Sequence, residues 1–403
     1  MRHDGDNDRF AQTFVIYEGG GFPERYDRMV IAANSLHNRV WGSRLFTDTS
    51  SFQTADVPPL VVSSDRWFRP VDVKVGPDGG VYLADWYDSR LTHVDPRDNW
   101  HKSSGRIYRL RGKDAQPISP FDLTRLSNDE LIEQFSHPNK WFRHKTVQVL
   151  GERADTSIHP TLRKMATSLD DPRSLEALWA LNLSGGFDDD LANQMLDHPD
   201  AHVRRWTVRL LGDSRGVTPH VGSKLARLAK TESDPEVRSQ LASCAKRLSA
   251  AHGLAIVRQL LVRDEDLDDL HIPLLNWWAV ESKTESDRDD VLDLFREPAF
   301  WQLPMVRDTI LKRVMQRYAM AGGDDNFITC ARLLKLAPGT DETRLLMSGL
   351  QEAFLGRQIA NVPAELAQAL SDYQKSLGES NRSRSRWMWC SRCHFTMMRK
   401  SSD

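Results

Sequence analysis

Residues 69–84 read RPVDVKVGPDGGVYLA, and the parsing of that stretch decides the fold of the first part of the chain. Val71, Val73 and Val75 alternate with polar residues, and a second apolar run begins at residue 79. Period two is the signature of a half-buried strand. Between the runs lies Gly76-Pro77-Asp78-Gly79-Gly80, where Pro presets one turn residue and Gly supplies a positive φ without steric cost. The spacing therefore predicts a hairpin joining strands at 69–75 and 79–84. Outward from it, RMVIAAN (28–34) and GRIYRL (105–110) have a strand's length and are bounded by turn residues. Helical periodicity is absent up to about residue 112, so residues 1–112 read as a region of strands and loops.

After a linker at 113–120 the pattern changes to helices over 121–377, and it repeats. The segments at 137–154, 169–186, 196–213 and 233–248 each place His-Pro or Asp-Pro just ahead of an apolar helix, and Pro138, Pro172, Pro199 and Pro235 stand 34, 27 and 36 residues apart. That spacing suits a two-helix repeat. In the third segment Val203, Trp206, Leu210 and Leu211 make one apolar stripe, which predicts a buried Trp206. A single helix pair cannot bury its own apolar face, so neighbours must stack on it, giving an α-solenoid of five to seven pairs. Arg143, Arg204 and Arg238 recur at matching positions, where they are expected to tie one repeat to the next through carboxylates and carbonyls. Cys244 is in phase with Val237, Leu241 and Leu248 and reads as core, whereas of Trp277 and Trp278 one ring is expected in the core and the other half-buried, as a possible partner patch.

Composition narrows the function classes. Of 403 residues, 54 are Lys or Arg and 56 Asp or Glu, a balance that gives no case for nucleic acid as the main partner. Four cysteines, Cys244, Cys330, Cys390 and Cys393, are too few for a disulfide framework. The opening MRHDGDNDRFAQTF is charged where a signal peptide is apolar, and the chain contains no membrane segment, that is, no run of about 18 apolar residues. Localisation is not legible from these residues.

Two clusters carry possible chemistry. Asp85, Asp88, His93, Asp95, Asp98 and His101 form the densest set of metal-ligand types outside the tail, with Asp85, Asp88, His93 and His101 as the metal candidates, although the aspartates stand where turn chemistry puts them, which weighs toward a solvated loop. Arg69, between Phe68 and Pro70, suits either an anionic ligand or a structural ion pair. The second cluster is Cys390-Ser391-Arg392-Cys393-His394, the C-x-x-C-H spacing of c-type haem attachment, in which two thiols form thioethers and the imidazole is an axial ligand. It lies in a basic segment, 378–403, rich in Arg, Ser, Trp and Met. Three readings stand: a haem c site of Cys390, Cys393 and His394, half of a zinc site, and a tail without regular structure. Nine residues follow His394, and Met397 and Met398 are too near it to reach the opposite haem face, which weighs toward the tail.

The motifs DRWFRPVDVKVGPDGGVYLADWYDSRLTH (65–93) and GRIYRL, preceded by YEGGGFPERYDRMVIAANSLHNRV (17–40), closely resemble the end of the β-propeller in the large membrane-bound dehydrogenase-like proteins of planctomycetes and verrucomicrobia. In that family the propeller is similar to quinoprotein (pyrroloquinoline-quinone) sugar dehydrogenases, HEAT-type repeats follow, and a cytochrome c domain with C-x-x-C-H often closes the chain. The resemblance implies a multidomain all-β plus all-α protein, a partial β-propeller followed by a HEAT-type α-solenoid, and an exported or periplasmic location. A propeller takes about four or more blades of roughly 40 residues, so residues 1–112 supply two to three, and the remaining blades, with the quinone chemistry, are expected before residue 1. No catalytic residue is transferred on this resemblance. The expected function is that of a dehydrogenase-like fragment, truncated and not catalytic by itself. The alternative is a protein-interaction scaffold that binds a protein partner on the concave face of the solenoid.

Overall fold

The computed structural model describes residues 2–4, 13–89, 101–115, 117–355, 358–359, 362–376, 387–390 and 394–397, of which 2–4, 358–359, 387–390 and 394–397 are described by their backbone alone. The first sheet contains β1 (Arg2–Asp4), β2 (Thr13–Ile16), β3 (Val30–Asn34), β4 (Arg39–Asp48) and β5 (Ser51–Val62), in the order β1-β5-β4-β3-β2. From β2 to β5 it is an antiparallel meander, and β1 lies parallel to β5. A second antiparallel meander holds β6 (Pro70–Val75), β7 (Val81–Asp85) and β8 (Arg106–Leu110). Tyr17, Ile31 and Val40 from the first sheet region form one core cluster with Val73, Val81 and Leu83 of the second. The two sheets thus bury one apolar face against each other, as their period-two pattern requires.

The predicted hairpin is present. Gly76 N donates to Gly80 O at 2.8 Å and Gly79 N to Gly76 O at 3.0 Å, with Gly79 at φ 71°. The two longest strands, β4 and β5, escaped the sequence reading, and the reason is local. Pro58 and Pro59 lie inside β5, a position that argues against a strand. They are accommodated at an irregularity where Val40 pairs with Val61 and Gly42 with Val57, so that Trp41 alone opposes three residues. A bulge is where a strand can lose ladder donors.

From residue 128 to residue 376 the described chain is mainly helical. The first helices are α1 (Asn128–Glu133), α2 (Lys140–Arg153), α3 (His159–Ala166), α4 (Ser174–Leu183) and α5 (Asp189–Met195). Next come α6 (Ala201–Asp213), α7 (Pro219–Thr231), α8 (Pro235–Arg247), α9 (Ala250–Leu260) and α10 (Ile272–Glu281). The last are α11 (Arg288–Asp293), α12 (Leu311–Ala321, entered through a π-helical turn at Val306–Ile310), α13 (Asp324–Leu336), α14 (Thr340–Ala353) and α15 (Ala364–Ser376). Their starts follow the sequence signals. Ser127 and Glu130 form a reciprocal capping box on α1, and Asp234 caps α8 with Pro235 in its first turn.

The chain divides into two compact units, Met1–Val203 and Arg204–Asp403. The first holds both sheets together with α1 to α5, so the change from strand to helix at 113–120 falls inside it. There α2 and α3 both pack on α4. In the second unit α7 packs on α9, α8 on α10, α12 on α14 and α13 on α15, while successive helices α8 and α9, and α12 and α13, also touch. In these four pairs a helix packs against the one two further on. No helix among the described residues is long and apolar enough to cross a membrane.

One sequence expectation is corrected on α6. Val203 and Leu211 are buried, but the rest of the stripe is Thr207 and Val208, and Trp206 and Leu210 are half-buried. The stripe is turned by about one residue, and the Trp206 ring lies under the Arg209 guanidinium, 4.8 Å from the ring centroid.

Candidate functional site

Arg69 is 6% exposed at the start of the β6–β7 hairpin. Its Nε donates to Asp88 O and its Nη1 to Ser35 O, both at 3.0 Å. Burial pulls its pKa down, while Asp88, Asp85 and Asp65 hold it up. Asp85 Oδ1 accepts from the backbone N–H groups of Arg69 (2.7 Å) and Tyr87 (2.9 Å). These groups fasten residues 85–88 to the strand before them, and the arginine has the structural role rather than the ligand-binding one. Of the metal candidates, the structure brings Asp85 and Asp88 together around this arginine. His101 instead packs edge-on against Trp67, with ring centroids 4.5 Å apart, and its Nδ1 lies 3.1 Å from Ser104 Oγ. His93, Asp95 and Asp98 lie outside the described residues. Among the described residues no group of three His, Cys, Asp or Glu is placed to hold a metal ion.

A second constellation, which the sequence reading missed, joins the sheets to the helices within the first unit. Glu18, just after β2, takes Lys140 Nζ at 2.6 Å and Arg143 Nη2 at 2.7 Å, and Arg143 Nε reaches Glu176 of α4 at 3.3 Å. Burial pushes the Glu18 carboxyl up, but the hydrogen bond and charge of Lys140, with those of Arg143, outweigh it and hold the group below its ordinary value. Asn139 works in two directions. Its Oδ1 caps α2 through Trp141 N at 2.9 Å, and its Nδ2 donates to the hairpin carbonyls of Gly76 (2.9 Å) and Pro77 (3.0 Å). Beside it, Gly19, Gly20 and Gly21 press on the hairpin tip: Tyr17 Oη donates to Gly79 O at 2.7 Å, and a Cβ on Gly79 would stand 2.7 Å from Gly19 O. A cleft of about 510 Å³ opens at this junction, lined by the glycines, the tip and residues 112–115 and 137–139. The signal that could have found it is the Gly19-Gly20-Gly21 run together with Asn139 at an N-cap position.

A third constellation lies in the second unit, where α8 stacks on α10. Trp277 is 7% exposed and Trp278 44%, so one ring is core, as the sequence reading expects, and the other is more open than the half-buried ring expected. Trp278, with Leu275, Ser243, Lys246, Arg247 and the end of α6 (Gly212, Asp213, Arg215), lines a cleft of about 740 Å³. Lys246 Nζ stands 5.8 Å from the Trp278 ring centroid, within cation–π range. Beneath it Lys283, 7% exposed, donates to Lys246 O at 3.1 Å and Leu248 O at 2.5 Å. A buried ammonium thus caps the carbonyl end of α8.

The expected arginine links are present. Arg204 Nε and Nη2 meet both oxygens of Glu232 at 2.7 and 2.6 Å. Arg238 Nε and Nη2 meet both oxygens of Asp266 at 2.6 and 2.5 Å, and Nη1 donates to Ser233 O at 2.8 Å. Arg307, which the sequence reading passed over, reaches one oxygen of Glu342 through Nη1, and Gln302 Nε2 donates to the same oxygen at 3.1 Å.

In the C-x-x-C-H segment the backbone of β10 (Trp387–Cys390) pairs antiparallel with β11 (His394–Met397), Cys390 opposite His394, and β11 pairs with β9 (Gln358–Ile359). Cys393 and the side chains of Cys390 and His394 lie outside the described residues.

Fold and sites together define a chain of antiparallel sheets fastened to an array of stacked helices. Within it, residues 8–114, which take in β2 to β8, match the family model of a domain of unknown function, DUF7133. No curated protein matches the chain.

Proposed function

We propose that the chain is the partial β-propeller and HEAT-type α-solenoid of a dehydrogenase-like protein, and that this portion is a non-catalytic scaffold presenting a surface to a protein partner. The two meanders packed face to face correspond to two neighbouring propeller blades. The packing of alternate helices, with arginines reaching carboxylates 28, 28 and 35 residues further on, corresponds to stacked HEAT repeats.

The observation that carries the non-catalytic reading is the state of the buried charges in the sheets. A quinone bearing carboxylates calls for free cations at its site, yet Arg69 is already held by two backbone carbonyls between Asp85 and Asp88. Lys140 and Arg143 are likewise held by Glu18. These three cations are already engaged, and no catalytic step is assigned to the quinone. The test is dye-linked oxidation of sugars and alcohols by the intact chain with pyrroloquinoline quinone and calcium. No turnover is expected, and turnover that requires the quinone would contradict the reading.

A further inference from the structure

The cleft between the end of α6 and the α8–α10 pair is asymmetric in charge. Its walls carry Arg215, Lys246 and Arg247 against one carboxylate, Asp213. Asp213 is engaged by Arg247 and lies 3.8 Å from Arg209 Nε. Arg215 and Lys246 are exposed, and neither has a carboxylate at ion-pair distance among the described residues. Beside these two cations Trp278, 44% exposed, and the half-buried Leu275 of α10 line the cleft. Trp277 is core, and Lys283 donates to the carbonyls at the end of α8.

We propose that this cleft docks an acidic peptide segment of a partner protein, one that sets an apolar side chain on Trp278 and Leu275 and places flanking carboxylates on Lys246 and Arg215. Carboxylates supply the charge that the two cations lack, and an exposed indole that a partner covers on docking is the kind of anchor that carries much of the affinity at an interface. The volume of about 740 Å³ holds a few side chains. A phosphodiester backbone would meet the same cations, but the near-neutral chain, 54 basic against 56 acidic residues, gives no case for an extended positive track.

The inference rests on the scaffold reading, and its test separates the two. The intact chain is titrated into a short fluorescein-labelled peptide in which Leu-Phe is flanked on both sides by glutamates. The counterpart carrying lysines in place of the glutamates and a labelled oligothymidylate are titrated in parallel. The glutamate peptide should bind, more weakly as salt rises, and the lysine peptide should not. Trp278→Ala should weaken binding about tenfold or more. The pair Arg215→Glu with Lys246→Glu should weaken it at least as much, while the thermal midpoint stays within a few degrees of the parent. Lys246→Gln, the milder variant, should give a smaller loss with the fold intact. Absence of binding at millimolar chain, binding that survives every variant, or preference for the oligothymidylate lost in the same variants would overturn the proposal. Failure to bind peptide without quinone-dependent turnover overturns this proposal alone, whereas quinone-dependent turnover overturns the scaffold reading whatever the peptide does.

Discussion

Glu232 is 3% exposed and meets the Arg204 guanidinium through both oxygens, while Oε1 also accepts from Asp234 N at 2.9 Å. Burial pushes its carboxyl up, but the Arg204 hydrogen bond and the Asp234 and Ser233 N–H groups outweigh burial and leave it below the ordinary 4.5. A carboxyl depressed in the folded state contributes stability that is complete above its unfolded pKa and is lost as pH falls through the folded one. Glu232→Gln should cost about 3 kcal/mol near neutrality, because it leaves a buried guanidinium without its counter-charge. Urea midpoints measured from pH ~6 downward should fall less steeply in Glu232→Gln than in the parent chain. Parallel curves would mean that the pair carries no linkage. Trp206 gives the opposite lesson. The set Val203, Trp206 and Leu210 and the set Val203, Thr207 and Leu211 both fit a helical period, and the buried Thr207 hid the true face because a hydroxyl residue reads as outward. Leu211→Ala should cost about 2–4 kcal/mol, a buried cavity. Trp206→Ala should cost about 1 kcal/mol, the loss of a half-buried ring under Arg209. Urea denaturation of the two variants decides the order, and a larger loss at Trp206 would contradict the phase of α6.

At the scale of elements, the Gly76 to Gly80 hairpin was legible because its chemistry is contained in five adjacent residues. Its docking on α2 was not, since Asn139 meets Gly76 and Pro77 across 63 and 62 residues of sequence. The β4–β5 pair stayed hidden because the bulge that tolerates Pro58 and Pro59 depends on a partner strand. Asn139 separates capping from docking. Asn139→Asp keeps the acceptor that caps α2 and loses the two donors to the hairpin, whereas Asn139→Ala loses both. The alanine variant should cost about 2–3 kcal/mol and the aspartate about 1–2 kcal/mol by urea midpoint. Equal losses would mean that the cap contributes nothing. Likewise the Trp277-Trp278 pair was legible as one core ring and one more open ring, but Lys246 and Arg215 beside Trp278 were not, because they come from α8 and from the turn after α6.

For the whole molecule, the switch from period two to period 3.6 was enough to separate an all-β region from an all-α one. The unit boundary at Val203 was not legible, because it depends on which helices share a core and on the Glu18, Asn139 and Arg143 links that draw the sheets into the first helices. Those links draw the sheets and α1 to α5 into one compact unit. Native-state hydrogen exchange of the intact chain at rising guanidinium reads this most directly. Within the first unit, the amides of Ile31, Val73 and Leu83 in the sheets and of Leu150 and Leu178 in α2 and α4 should merge into a single opening with one denaturant dependence. Glu18→Gln should lower the opening free energy of both sets together. Strand amides that open separately, with their own shallower dependence and with α2 and α4 untouched by Glu18→Gln, would contradict it.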